Sequence, residues 1–163
     1  MKNSFYFLVF FFSITITKGQ VLNIEDFGAI SGTGILNTTY IQAAIDSAES
    51  LGGGTVLIPK GAFLSSTIFL KDNVTLEIAE GGILKGASKT NQYPDVKTTT
   101  IRSFGDTYPQ RSLIFAEGKR NITLKGQGMI DGNGLSIDFL VNSDDKPFGI
   151  RFISCTDVLY EGL

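Results

Sequence analysis

Three short segments of the chain repeat one pattern, in which a polar residue is followed by a β-strand sequence. The copies start at Asn73, Asn121 and Asp157 and read Asn-Val-Thr-Leu, Asn-Ile-Thr-Leu and Asp-Val-Leu-Tyr. The unequal intervals between them fit solenoid coils of roughly 20 to 30 residues with loops of variable length. We therefore predict a parallel β-helix whose Asn and Asp side chains stack at one corner. The plainer alternative is another all-β fold, since strands that begin with Asn are common.

The first residues predict a leader peptide. Lys2 precedes an apolar run from Phe5 to Ile16, and Thr17 and Gly19 are small residues at the two positions that a signal peptidase reads. We predict a signal peptide over residues 1–19 and a secreted protein, extracellular or periplasmic. The apolar run is short for a bilayer span, so a membrane anchor is the weaker alternative.

Composition sets further limits. The formal net charge of −2 includes the two lysines of the leader, so the mature chain is more acidic. It lacks the excess of basic residues that is typical of nucleic-acid binding. Cys155 is the only cysteine, which excludes an internal disulfide, and we interpret it as a small buried apolar residue. We expect residues 20–163 to form one β-helix domain of about five turns, incomplete at its C-terminal end.

One amphipathic helix is predicted ahead of most of the strands. Asn37 or Thr38 can cap its start, and Gly52 can end it. A helix in this position would cover the open N-terminal end of the β-helix. Its apolar stripe has helical spacing and consists of Ile41, Ala44, Ile45, Ala48 and Leu51.

Short strands punctuated by glycines make up most of the remaining sequence, and one long irregular segment, Ser88 to Gln110, interrupts them. A loop of this length in a compact domain usually carries function or is disordered. The predicted strands cover Val21–Ile24, Thr55–Ile58, Phe63–Phe69, Val74–Ile78, Ile83–Leu84, Leu113–Ala116, Ile122–Leu124, Met129–Ile130 and Ile150–Ile153.

In their order and spacing, several motifs resemble the N-terminal part of glycoside hydrolase family 28, the polygalacturonases and their relatives among the pectin-degrading β-helix proteins. The resemblance covers nearly the whole chain after the leader. The motifs that carry it are Asp26-Phe27-Gly28-Ala29, Ile41 to Asp46, Gly52 to Pro59, Asn73 to Leu76, Gly81 to Gly86, Tyr93-Pro94 and Ile122 to Gly134.

This resemblance implies a hydrolase that cleaves α-linked galacturonate polymers with inversion at the sugar carbon. Such enzymes use one carboxylic acid to protonate the leaving oxygen and one carboxylate to activate water. The family carries these groups in an Asn-Thr-Asp motif and a later Asp-Asp pair, followed by Gly-His-Gly and Arg-x-Lys motifs. The resemblance places all four motifs beyond the matching region.

None of these motifs can be assigned in this chain. The sequence has no histidine, and Asn37-Thr38-Thr39 lacks the acid. Asp144-Asp145 lies in a polar stretch that we interpret as a solvated loop. Asp131-Gly132-Asn133-Gly134 could open a calcium loop, but the closing Glu is replaced by Asn142, so a coil-corner turn is the better interpretation. We predict no catalytic, cofactor-binding or metal-binding residue and no cofactor.

The predicted function is the N-terminal portion of a secreted polygalacturonase-like hydrolase that binds pectin-type polygalacturonate, with the chain itself inactive. A non-catalytic β-helical surface protein that binds polysaccharide and a β-eliminating pectin or pectate lyase remain alternatives. Tyr93, Arg102, Tyr108 and Arg111 could meet sugar carboxylates from the long segment, although loop packing is the simpler role for each of them.

Overall fold

A computed structural model describes residues 19–32, 34–99, 110–137, 139 and 146–163. The predicted leader lies outside the described residues except for Gly19. An α-helix, α1, spans Thr38–Ser50. In chain order the strands are β1 Val21–Asn23, β2 Gly54–Ile58, β3 Gly61–Ser65, β4 Ile68–Phe69, β5 Val74–Ile78, β6 Gly82–Gly86, β7 Ser112–Glu117, β8 Arg120–Gly126, β9 Met129–Asp131, β10 Phe148–Ile153 and β11 Thr156–Glu161.

The strands form three parallel sheets. Sheet A has the order β1-β2-β5-β8-β11, sheet B the order β3-β6-β9, and sheet C the order β10-β7-β4. The chain passes from A to B to C and returns to A one coil further on, so that Thr75 pairs with Thr123 and Leu159 with that same Thr123. This is a right-handed parallel β-helix, and the predicted fold is confirmed.

The core runs along the axis of the solenoid, because alternate residues of each strand point inward. Burying one such side chain stabilises the fold by about 1.5 to 3 kcal/mol relative to its exposed state. Fully buried inward residues come from all three sheets and include Val56, Leu76 and Leu124 of sheet A, Phe63 and Leu84 of sheet B, and Ile68 and Ile114 of sheet C.

Helix α1 packs against the first coil and covers its end, as predicted. Ile41, Ala44, Ile45 and Ala48 are fully buried, but Leu51 is 56% exposed, so its place in the predicted stripe was wrong. Leu51 is the residue that follows the last helical turn and no longer continues the buried face.

The ends of α1 are only partly as predicted. Gly52 follows the helix with φ +85°, and its N–H donates to Glu49 O at 2.9 Å, which confirms its role in ending the helix. Asn37 stands at the N-cap but makes no capping bond. Its buried side chain instead accepts from Ile30 N and donates to the carbonyls of Ile30 and Ile35, holding the preceding loop.

The repeated polar residue marks the corner between sheets C and A. Asn73, Asn121 and Asp157 have φ of +61°, +54° and +53°, the left-handed conformation that Asn and Asp tolerate best after glycine. Asn121 Nδ2 donates to Asn73 Oδ1 at 3.0 Å, which confirms the predicted ladder for these two copies. Gly53 occupies the same place in the preceding coil with φ +133°.

The predicted strand Phe63–Phe69 is in fact two strands separated by a coil corner at Ser66 and Thr67. Ser66 and Thr67 are buried. The apolar residues around them in the sequence give no sign of a corner. Its polar groups are satisfied, since Ser66 N donates to Thr38 Oγ1 at 2.8 Å and Thr67 Oγ1 donates to Ser112 O at 2.6 Å.

Cys155 is half-buried and packs against the core, and its Sγ donates to Ile153 O at 3.5 Å. The structural role that we predicted for it is consistent with this position. Within the part of the chain that the structure describes, every helix is too short or too polar to cross a bilayer.

Candidate functional site

The corner between sheets B and C differs from coil to coil. It is formed by residues 66–67 in one coil, by residues 87–111 in the next and by residues 132–147 in the coil after that. Because the coils stack in register, the two long insertions emerge side by side along one edge of the solenoid. Loops held by a rigid scaffold are the usual place for binding and catalysis.

The first insertion comprises residues 87–111, and its described parts, residues 87–99 and 110–111, contact the outer face of sheet C. Arg111 Nη2 pairs with Asp95 Oδ2 at 3.0 Å. Arg151 of β10 donates from Nη1 to the carbonyls of Val96 and Gln110, both at 3.3 Å. Contacts on both of its described flanks therefore anchor this insertion to the sheet.

Tyr93 has a packing role in this insertion. It is 4% exposed, and its hydroxyl donates to Ala87 O at 3.0 Å. Burial raises the pKa of Tyr93 to about 12. Tyr93 and the ion-paired Arg111 therefore have the loop-packing role, the simpler of the two roles considered for them. Arg102 and Tyr108 lie outside the described residues.

The second insertion, residues 132–147, begins with a tight turn. Asn133 has φ +53°, and its N–H donates to Asp131 Oδ1 at 2.8 Å. Asn133 Nδ2 reaches back one coil to Gly86 O at 3.1 Å, and Ser136 Oγ donates to Ser88 O at 2.8 Å. The predicted coil-corner turn is consistent with these bonds, which also join the starts of the two insertions. Asn142, Asp144 and Asp145 lie outside the described residues.

The outer face of sheet B carries charged groups beside these insertions. Lys85 of β6 and Asp131 of β9 are paired in register, and Lys85 Nζ lies 3.7 Å from Asp131 Oδ2. The two side chains are 41% and 38% exposed, so the pair is open to a ligand. An ammonium group on an open face can meet a carboxylate of an acidic sugar.

Sequence reasoning missed the pair of Lys85 and Asp131. Each residue lies on the polar side of a short alternating strand, and this alternation was the available signal. The strands are not adjacent in sequence, so only the stacking register brings the two side chains together.

Carboxylates on other faces are engaged in charge pairing. Lys71 Nζ lies 3.0 Å from Glu49 Oε2 and 3.6 Å from Asp46 Oδ1. The hydrogen bond to Glu49 raises the pKa of Lys71. Lys125 Nζ lies 3.2 Å from Glu77 Oε2 on sheet A. Among the described residues no group of three His, Cys, Asp or Glu side chains is placed to hold a metal ion.

Among characterised proteins, the chain is similar to a galacturonosidase and to a mannuronan epimerase. It is 34% identical to exo-poly-alpha-D-galacturonosidase of Dickeya chrysanthemi over 74% of this chain and 21% of that protein. It is 36% identical to mannuronan C5-epimerase AlgE4 of Azotobacter vinelandii over 68% of this chain and 21% of that protein. The chain thus spans about a fifth of the length of each relative. No protein-family model matches it.

Solved structures show the same relationship. The family 28 exopolygalacturonase of Yersinia enterocolitica has a TM-score of 0.59 and 35% identity, covering 69% of this chain and 21% of that one. The exopolygalacturonase of Thermotoga maritima has a TM-score of 0.65 at 22% identity, covering 88% of this chain and 40% of that one, and shares its fold. The chain is a homologue of the polygalacturonases of glycoside hydrolase family 28 and has their pectin lyase-like β-helix fold.

Proposed function

We propose that this chain forms the N-terminal coils of a secreted glycoside hydrolase that acts on pectin-type polygalacturonate by inverting hydrolysis. The observation that carries the proposal is the similarity to the Dickeya galacturonosidase across most of the chain. The open face of sheet B supports it, because Lys85 offers a cation beside the starts of the two insertions, where an acidic polymer can lie.

The 163-residue chain by itself is proposed to lack hydrolase activity. Inverting hydrolysis needs two carboxyl groups that stand roughly 6.5 to 9.5 Å apart across the scissile bond. The sequence has no histidine for the Gly-His-Gly motif that the family resemblance implies. Glu49, Glu77 and Asp95 are engaged with lysine or arginine side chains, which supports structural roles for them.

Two measurements on the purified chain test these points. Incubation with polygalacturonate should release no reducing ends, and release by the chain would overturn its inactivity. The chain should be retarded on immobilised polygalacturonate, and Lys85→Gln should reduce the retardation because it removes the cation from the open face. Lys125→Gln on sheet A is the matched control and should leave retardation unchanged. Equal loss in both variants would contradict a site on sheet B.

The similarity to AlgE4 favours a second candidate, an enzyme that epimerises or eliminates at C5 of a uronic acid polymer. Retardation on mannuronan that exceeds retardation on polygalacturonate would favour this candidate. Equal retardation on neutral and acidic polymers would favour a general polysaccharide-binding role.

A further inference from the structure

A groove of about 400 Å³ lies between α1 and the outer face of sheet C. One wall is a face of the helix formed by Thr39, Gln42, Ala43 and Asp46, which follow the i, i+3, i+4, i+7 spacing of neighbours on a helix. The opposite wall is Phe69 of β4. This helix face adjoins the buried stripe of α1 without being part of it.

The aromatic wall is held rigidly in place. The Phe69 ring meets the Phe115 ring edge to face, with centroids 5.8 Å apart and planes at 71°. Gln42 bonds both backbone groups of Phe69, accepting from its N–H at 2.8 Å and donating to its carbonyl at 3.1 Å. An aromatic surface fixed in advance loses little freedom when a ligand binds.

Two polar groups of the groove have bonding capacity left. The Thr39 hydroxyl has no partner within the described part of the chain and is exposed. Asp46 accepts from Gln42 Nε2 through Oδ1 at 2.9 Å, while no described residue bonds its Oδ2. The Asp46 side chain is 53% exposed. The groove therefore offers an aromatic face, the Ala43 methyl group, one hydroxyl and one carboxylate oxygen.

We propose that this groove binds a neutral sugar residue, a hexose or pentose that carries no carboxylate. A sugar ring presents C–H groups to an aromatic surface and hydroxyl donors to a carboxylate, and small-ligand pockets typically combine apolar walls with a few placed polar groups. The charge of Asp46 disfavours a uronate ligand. Lys71 offsets this repulsion only in part, because it is shared between Glu49 at 3.0 Å and Asp46 at 3.6 Å. This proposal goes beyond the hydrolase function above and does not depend on it.

The test is a titration of the isotope-labelled chain, followed by NMR, with methyl β-galactoside and separately with galacturonate. The galactoside should shift the amide signals around Thr39, Asp46 and Phe69, and galacturonate should bind this region at least roughly tenfold more weakly. Thr39→Val and Asp46→Asn should each weaken galactoside binding by roughly tenfold. Asp46→Asn should also reduce the difference in affinity between the galactoside and galacturonate.

Glu77→Gln, on sheet A, is the matched control and should change neither affinity. Thermal unfolding of each variant separates lost binding from lost folding. No shifts around the groove with the galactoside, or binding that Asp46→Asn leaves unchanged in a folded protein, would overturn the proposal. The outcome is independent of retardation on polygalacturonate, which depends on Lys85, so either proposal can fail alone.

Discussion

Two corners of the same solenoid follow opposite rules. At the corner that leads into sheet A, four coils have a residue of positive φ at the equivalent position, namely Gly53, Asn73, Asn121 and Asp157. The corner between sheets B and C ranges from two residues to long insertions. The first corner is restricted because the backbone turns tightly and neighbouring coils touch there. The second accepts insertions while the strands on either side of it keep their stacking register.

Replacing Gly53 with alanine should cause the largest loss among the corner variants. Gly53 has φ +133°, and an added Cβ would lie 2.7 Å from both Cβ and O of Asn73. Backbone strain and overpacking together should lower the free energy of unfolding by about 3 kcal/mol. Urea unfolding followed by circular dichroism measures this loss. Gly134→Ala in the variable corner, with nothing within 4 Å of its added Cβ, should stay within about 0.5 kcal/mol. Similar losses in both variants would break the comparison.

A medium effect is expected at the ladder residue Asn121. Asn121→Ala removes the bond to Asn73 and places alanine at φ +54°, so the free energy of unfolding should fall by about 2 kcal/mol. Asn121→Gly loses the same bond but tolerates the conformation, and should cost about 1 kcal/mol. Equal losses in the two variants would show that the left-handed conformation does not set the rule at this corner.

The smallest of the three main effects is expected for Tyr93→Phe in the first insertion, which removes one hydrogen bond and should cost about 1 kcal/mol. The pH dependence of stability is a more specific test of Tyr93 than this cost. Because the folded-state pKa of Tyr93 is about 12, above its ordinary value of 10.0, its contribution is fully present below pH 10 and is lost as the pH rises toward 12. Urea unfolding at a series of pH values measures this effect. Between pH 10 and 12 the free energy of unfolding should therefore fall less in the variant than in the parent chain. Tyr160→Phe, at an exposed tyrosine, serves as the control and should follow the parent chain.

The sequence predicted the fold well where local conformation decides it. The strand starts at Asn73 and Asn121 were visible because an Asn before alternating apolar residues signals a turn and a half-buried strand. The helix was visible through its 3.6-residue period. The prediction failed at Ser66 and Thr67, because a buried corner satisfied by Thr38 and Ser112 leaves no local sign in an apolar run.

The candidate surfaces were less predictable. Lys85 and Asp131, like Phe69 and Phe115, lie on strands of different coils and meet only through the stacking register. Asn37 shows the same limit. Asn is a favoured residue at a helix N-cap, but the side chain of Asn37 bonds to Ile30 and Ile35 instead. No spacing rule within one strand or helix identifies such contacts.

The amino-acid sequence by itself determined the repeated corners, the inward faces of the strands and the helix that covers the first coil. These features depend on the conformational preferences of single residues and on hydrophobic alternation within a few positions. The tertiary structure alone decided which polar and aromatic side chains meet on the outer faces. Residues far apart in sequence become neighbours there because each coil stacks on the one before it.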